Sequence, residues 1–246
     1  FDRFNSRIDR IYRLGGSSVG WPYGRIIAAS YPQVEKVVYL RTSPSYSIEH
    51  RGQHFFDRIL YADAGFFDLF DFPVIAGDVR TALADPYMLV LSDAEAVKLF
   101  GAGTVEGTGD AAATSTGTTP GVGRQTGAGA AGRGGAAAVT VAAAQAVGQT
   151  LRLGDDRFPC KVAAVVHVPD QSHIRFDALL SFATLRSVNP AWHDREMSTG
   201  WLDLNVVTYV LLRPGTDAAA FAASIRNLPQ ERAGDVLKQL GSPYTL

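Results

Sequence analysis

The segment His167-Val-Pro-Asp-Gln-Ser-His173-Ile-Arg-Phe-Asp177 concentrates more potential chemistry than any other part of the chain. His167, Asp170, His173 and Asp177 offer the nitrogen and oxygen donors that bind borderline or hard metal ions. Their spacing follows no familiar ligand pattern, and polar residues around a Pro-Asp turn ordinarily bond to loop backbone. The turn reading therefore takes precedence over a metal-dependent hydrolase built on His167, His173 and Asp177. A nucleophilic hydrolase needs Ser, His and an acid within mutual reach. Ser172 and His173 are sequence neighbours whose side chains normally diverge, and Ser92 is better placed as a helix cap.

Other candidates dissolve in the same way. Asp63, Asp68, Asp71 and Asp78 lie among aromatics that could raise a carboxyl pKa for acid catalysis, but each stands where a cap or turn calls for Asp. Gly127-Ala-Gly-Ala-Ala-Gly132 has the GxGxxG form, yet it sits in low-complexity sequence with neither the strand nor the helix that a dinucleotide site requires. No GxxxxGK[ST] string occurs, so ATP binding through a P-loop is not expected of this chain. Trp21, Trp192 and Trp201 are scattered and read as packing residues. The expectation is a chain without catalytic, cofactor-binding or metal sites.

Composition sets wider bounds. The chain has 246 residues, 46% of them hydrophobic, enough to bury a substantial core. Its formal charge is -1, from 23 basic and 24 acidic residues, so no field draws in nucleic acid or an anionic surface. Cys160 is the only cysteine, which excludes an intrachain disulfide or a thiolate cluster and suits a small core residue. No apolar run approaches the roughly 20 residues that span a bilayer. The chain opens on Phe1 rather than Met, as an excised piece of a longer protein would.

The elements that would position these groups are legible in part. Strands are expected over Arg10–Leu14, Val34–Arg41, His54–Tyr61, Tyr87–Leu91 and Val206–Leu212, and a helix over Tyr23–Ser30 ahead of Pro32. Phe66, Phe67, Leu69 and Phe70 form the stripe of a core-facing helix that Asp63 can cap. Ser92-Asp-Ala-Glu95 is a capping box that opens a short helix burying Ala96, Leu99 and Phe100, with Gly101 at its C′ position. Gln149–Leu153 and Phe158–Val168 read as a hairpin turning at Gly154-Asp155-Asp156. Pro214-Gly215 leads into a helix capped by Thr216 or Asp217, with Phe221, Ile225 and Leu228 on one face. From Ala102 to Val147 the chain is almost entirely Gly, Ala and Thr, without aromatic residues, Leu or Ile. Such a tract buries too little to offset an ordering cost of roughly 1–2 kcal/mol per residue, so it reads as a disordered surface insertion in which Ala136–Ala146 has the propensity for a helix that is marginal in isolation. The whole is an α+β base interrupted by an inserted lobe.

Three groups of residues carry a family resemblance. FDRFNSRIDRIYRL (Phe1–Leu14) resembles the segment that follows the first transmembrane helix in bacterial ABC transporter permeases of the MacB/FtsX type. YADAGFFDLFDFPVIAGD (Tyr61–Asp78), TAL and LSDAEAVKLFG are similar to the core of their periplasmic domain. Gly148–Leu151, VPDQSHIRFDALLS (Val168–Ser181) and WLDLNVVTYVLLRPGTD (Trp201–Asp217) resemble its later part. The resemblance implies two lobes: a membrane-proximal, porter-like α/β lobe (residues 1–60 and 183–246) and an inserted β-rich lobe (61–182), the latter interrupted by the 102–147 insertion. It also implies a non-catalytic domain on the periplasmic side of the inner membrane, coupling cytoplasmic ATP hydrolysis mechanically to export or to an envelope partner. The implied partners are an ABC ATPase domain or subunit, a second permease copy in a homodimer, and a periplasmic adaptor or outer-membrane protein. Nucleic acid is not among them, and no cofactor is implied. The alternative is a ligand- or peptide-sensing module on the same scaffold.

Overall fold

The computed structural model describes residues 2–15, 20–42, 47–101, 133–154, 158–201 and 205–240. Its centre is one mixed sheet of 11 strands. They are β1 (Ile11–Arg13), β2 (Val34–Thr42), β3 (Ser47–His50), β4 (Gln53–Phe56), β5 (Ile59–Ala62), β6 (Val74–Gly77), β7 (Met88–Ser92), β8 (Thr150–Leu153), β9 (Phe158–Val166), β10 (Ala178–Ser181) and β11 (Val206–Leu212). The strand order is β1-β11-β2-β5-β10-β7-β9-β8-β3-β4. β5–β10 and β7–β9 are parallel, and the remaining pairs are antiparallel. β8 and β6 pair with successive stretches of β9, around Phe158–Lys161 and Ala164–Val166.

Side chains alternate across this sheet with the two-residue period of strands. Val38, Leu40, Ala62, Val90, Ala164, Val166, Leu179, Tyr209 and Leu211 face one core. Helix α2 (Phe66–Leu69) and its neighbours cover that face with a ring cluster in which Phe66 lies 5.0 Å from Phe70 and 5.5 Å from Phe72. Tyr39, Tyr61, Leu89, Leu91, Val165, Ala178 and Leu180 point the other way. There they meet α1 (Trp21–Ser30), α3 (Asp93–Phe100), α4 (Arg133–Ala146), α5 (Ala183–Val188) and α6 (Pro190–Thr199). A third cluster joins α1 and β11 to α7 (Ala218–Ile225) and the start of α8 (Leu228–Leu240), through Ile27, Val210, Leu212, Phe221, Ile225 and Leu228. Asp217 caps α7, accepting hydrogen bonds from the N–H groups of Ala219 and Ala220.

Several expectations are corrected. The strand expected over His54–Tyr61 is two, because the chain leaves β4 at Asp57 and Arg58 and re-enters the sheet elsewhere as β5. Within the tract expected to be a disordered insertion, Arg133–Ala146 is a helix that packs against α3, β6 and β9. Ala142, Ala143 and Ala146 are fully buried in that contact. Small side chains let helix backbones approach closely, and Ala has the best helix propensity, so the tract orders where it meets a partner. The GxGxxG string lies outside the described residues.

Gly101 ends α3 without a left-handed conformation: its φ is -63° and its N–H bonds to Val97 O at 2.8 Å. A Cβ there would stand 2.4 Å from the same oxygen, so close approach rather than handedness calls for glycine. The capping box is half made. Ser92 Oγ accepts from Glu95 N at 3.0 Å, whereas Ser92 N–H bonds to Asp177 O at 2.8 Å and the Glu95 carboxylate goes elsewhere. Asp63 does not cap α2 directly: its Oδ1 accepts from Gly65 N at 2.9 Å and its carbonyl from Phe66 N at 3.0 Å.

Candidate functional site

The 167–177 segment runs from the end of β9 to the start of β10 and serves as a junction between distant parts of the chain. His167 follows β9, and its N–H bonds to Pro73 O at 2.8 Å. Its Nδ1 lies 2.6 Å from Asp93 Oδ2, at the first turn of α3. His173 has different partners. Its Nδ1 is 2.7 Å from Asp2 Oδ2, its backbone N–H bonds to Asp2 Oδ1 at 2.9 Å, and its Nε2 is 2.7 Å from the Tyr209 hydroxyl on β11. Burial pushes the Tyr209 hydroxyl up to about 12, so it keeps its proton. With Nδ1–H donating to the Asp2 carboxylate, Nε2 is left to accept from that hydroxyl. Asp177 Oδ2 accepts from Arg58 N at 2.7 Å, just before β5. Asp170 is fully exposed and lies 3.7 Å from Arg175.

The candidate metal donors, already disfavoured against the turn reading, are not brought together. His167, His173 and Asp177 each bind a different segment: α3, the N-terminal stretch with β11, and the β4–β5 connection. Among the described residues no group of three or more His, Cys, Asp or Glu side chains could hold a metal ion. Ser172 is buried and bonds to its own loop, its Oγ donating to Ile174 O at 2.9 Å, and it makes no pair with His173. Gly16-Ser-Ser18-Val-Gly20, between β1 and α1, also has the GxSxG form of a hydrolase elbow, and residues 16–19 lie outside the described residues.

The remaining acids serve structure. Asp71 accepts from Ser6 N at 2.6 Å, and Asp68 pairs with Lys36. Asp78 is held below the usual carboxylate range by hydrogen bonds from the Arg80 side chain and backbone. Burial raises Asp63 despite its bond from Gly65. Two of the tryptophans meet, Trp21 and Trp192, at 6.3 Å edge to face, with the Arg41 guanidinium 5.1 Å over the latter ring. Trp201 packs on Tyr23 at 5.0 Å.

One side of the junction opens into a cavity of about 370 Å³ lined by Arg58, Asp93, His167, Arg175, Phe176 and Asp177 among others. Two arginines, a histidine and three aspartates are among its lining residues, so the lining is polar, unlike a preformed pocket for an apolar ligand. The N-terminal segment is fastened to the same region. Besides Asp2, Asn5 Oδ1 accepts from Asp71 N at 2.8 Å, Phe4 packs on Phe72 at 5.2 Å, and Arg10 bonds to Glu35 and to Leu212 O. Sequence reasoning missed Asp2, Asp93 and Tyr209 as partners of the two histidines. Their separations, 171, 74 and 36 residues, leave no local signal.

The family model described as the MacB-like periplasmic core domain matches residues 102–228, just over half of the chain. The chain belongs to this family. MacB-like domains are periplasmic parts of ABC transporter permeases in the inner membrane, and among the described residues no helix is long and apolar enough to cross a membrane. Solved structures agree on the fold. A domain assigned to a permease of Porphyromonas gingivalis is 20% identical with a TM-score of 0.61, the match covering 91% of this chain and 84% of that one. The periplasmic region of MacB from Actinobacillus actinomycetemcomitans is 13% identical with a TM-score of 0.53, over 96% of this chain and 92% of that one. No curated protein matches the chain in sequence.

Proposed function

We propose that this MacB-like domain is a mechanical coupler, transmitting movement of the permease's transmembrane helices to an export step or to an envelope partner, without chemistry of its own. The observation that carries the reading is the Asp2–His173–Tyr209 clasp. The N-terminal segment, whose sequence resembles the stretch after a first transmembrane helix, is tied by it to β11 and to the 167–177 junction. From there His167 and Asp177 reach α3 and the β4–β5 connection, so a pull on the N-terminal segment is delivered to packed elements rather than to a free loop.

MacB-like permeases work with an ABC ATPase and often dimerise. The coupler reading places two such domains side by side and leaves an adaptor or outer-membrane protein as the distal partner. It also treats residues 1–60 with 183–246 as the membrane-proximal lobe and 61–182 as the inserted one. The polar, open character of the junction cavity supports coupling over the sensing of an apolar ligand.

The test is a distance measurement in the full permease with its ATPase. A spin label at the exposed Val188 (V188C) is expected to give an inter-protomer distance distribution that shifts between the nucleotide-free and ATP-trapped states. An unchanged distribution would overturn the coupler reading, as would ATP hydrolysis by the isolated chain.

A further inference from the structure

The Glu95 carboxylate abandons its capping role for a buried charge cluster. Glu95 and Asp57 have side chains only 3% and 2% exposed, and both lean on a single cation, Lys98. Lys98 Nζ lies 3.1 Å from Glu95 Oε2 and also bonds to Asp57 Oδ1. The other oxygen of each acid, Glu95 Oε1 and Asp57 Oδ2, is buried without a hydrogen-bond partner. Two carboxylates on one ammonium leave an excess negative charge out of water, with two acceptors and no donor. A buried group in that position costs free energy until it is neutralised.

Among the described residues the surroundings supply no second cation to do so. On α3 itself the other charged residue is Asp93, engaged by His167. β7 brings no charge, β9 only the exposed Lys161, and α4 only Arg133 at its first position. Asp177, ahead of β10, adds further negative potential, and Arg58 beside it is exposed and faces the junction cavity. The β3–β4 hairpin carries Glu49, His50, Arg51 and His54. Of these, His50 packs its ring 4.5 Å from Phe100 at the far end of α3, and burial together with Arg51 holds that imidazole below its ordinary pKa. It therefore brings no balancing charge near neutral pH.

The hairpin's attachment to the rest of the sheet is slender. Among the described residues β3 meets β8 through two ladder pairs, Ile48 with Leu153 and Glu49 with Arg152, and through the Gly154 N–H bond to Ser47 O at 3.0 Å, and β4 is the sheet edge. Beyond Ile48, which is buried in one core with Ala96, Leu99 and Phe100, the hairpin meets α3 through His50 on Phe100 and the Phe55 ring 5.0 Å from Lys98 Nζ, and Asp57, just after β4, bonds to Lys98. We propose that Glu95, Asp57 and Lys98 form a one-proton site that fastens the β3–β4 hairpin to α3, docked while the site holds the proton and loosened when the proton leaves to water. The inference concerns the domain's own energetics and stands whether or not the coupler reading does.

Burial, with the negative charge of Asp57 next in weight, raises the Glu95 carboxyl to about 7 despite the opposing pull of Lys98. The docked hairpin thus holds a proton that an opened, hydrated Glu95 would release near 4.5. Opening is then favoured as pH rises through that interval and levels off above about 7. The test is hydrogen exchange on the intact chain, with protection factors corrected for the intrinsic rate. Protection of residues 47–56 is expected to fall roughly thirtyfold between about pH 5.5 and 8.5, while α7 stays constant. E95Q, which carries no titratable group there, should show a flat profile. A pH-independent hairpin in the unmodified chain, or an E95Q chain that keeps the fall, overturns the proposal. Should E95Q fail to fold, side-chain carboxyl NMR of the unmodified chain decides: a Glu95 midpoint below about 5 refutes the site, and one well above the ordinary range supports it.

Discussion

Replacing Ala143 with Leu tests whether α4 is a structural member or an ornament of the Ala-rich tract. Ala143 is fully buried where α4 meets α3, alongside Ala142 and Ala146 and in the same core as Ala96, Leu99 and Phe100. Leu is almost as good a helix former as Ala, so propensity contributes only a few tenths of a kcal/mol. The added carbons would enter a fully buried position, and overpacking of this kind typically costs about 1–3 kcal/mol. For a chain of this size each kcal/mol moves Tm by roughly 2–4 °C, so A143L should melt about 2–12 °C below the unmodified chain. Ala144, one residue on, is exposed, and A144L should stay within about 0.5 kcal/mol. The assay is thermal unfolding followed by circular dichroism at fixed pH, with urea midpoints as a second measure. Equal shifts for A143L and A144L would refute the packed helix, since an unpacked Ala-rich segment cannot tell the two positions apart.

Two further outcomes follow from local geometry. Gly77 has φ +83° and its Cβ would lie 2.2 Å from Ala163 O on β9, so G77A should cost at least ~1–3 kcal/mol in urea unfolding. G215A, at φ +78° in open space, should cost only about 1 kcal/mol. Cys160 is fully buried and burial lifts its thiol to about 12, so a disulfide reagent should leave it unmodified in native buffer and label it fully in denaturant. Labelling at native rates near those of a free thiol would show that β9 is open to solvent.

Several elements could be read from the sequence because their signals are local. Val34–Arg41 and Val206–Leu212 are strands by their β-branched content, Ser92 caps α3, and Asp217 caps α7, each through contacts within a few residues. The break at Asp57-Arg58 was illegible, since both flanking stretches have strand composition and only the crossover to β10 separates them. α4 was legible only as helix propensity over Ala136–Ala146, and its stability was not. Composition argues correctly that an isolated Gly/Ala tract cannot sustain a helix, and the facing surfaces of α3, β6 and β9 supply the burial that offsets ordering.

The candidate site divides along the same line. From its residues alone, the chain determined that the 167–177 segment would be a polar turn serving backbone and side-chain partners, and the match of its motifs pointed to the MacB-like family. Which partners those are was decided by the tertiary structure. His173 finds Asp2 and Tyr209, His167 finds Asp93, and Glu95 leaves its capping box for Lys98, a cation it shares with Asp57. Propensity and periodicity report interactions within about one turn or one strand pair. Glu95 has its cation three residues away, but Asp57, which shares that cation, and the partners of both histidines come from segments tens to hundreds of residues away and converge only once the sheet has been assembled.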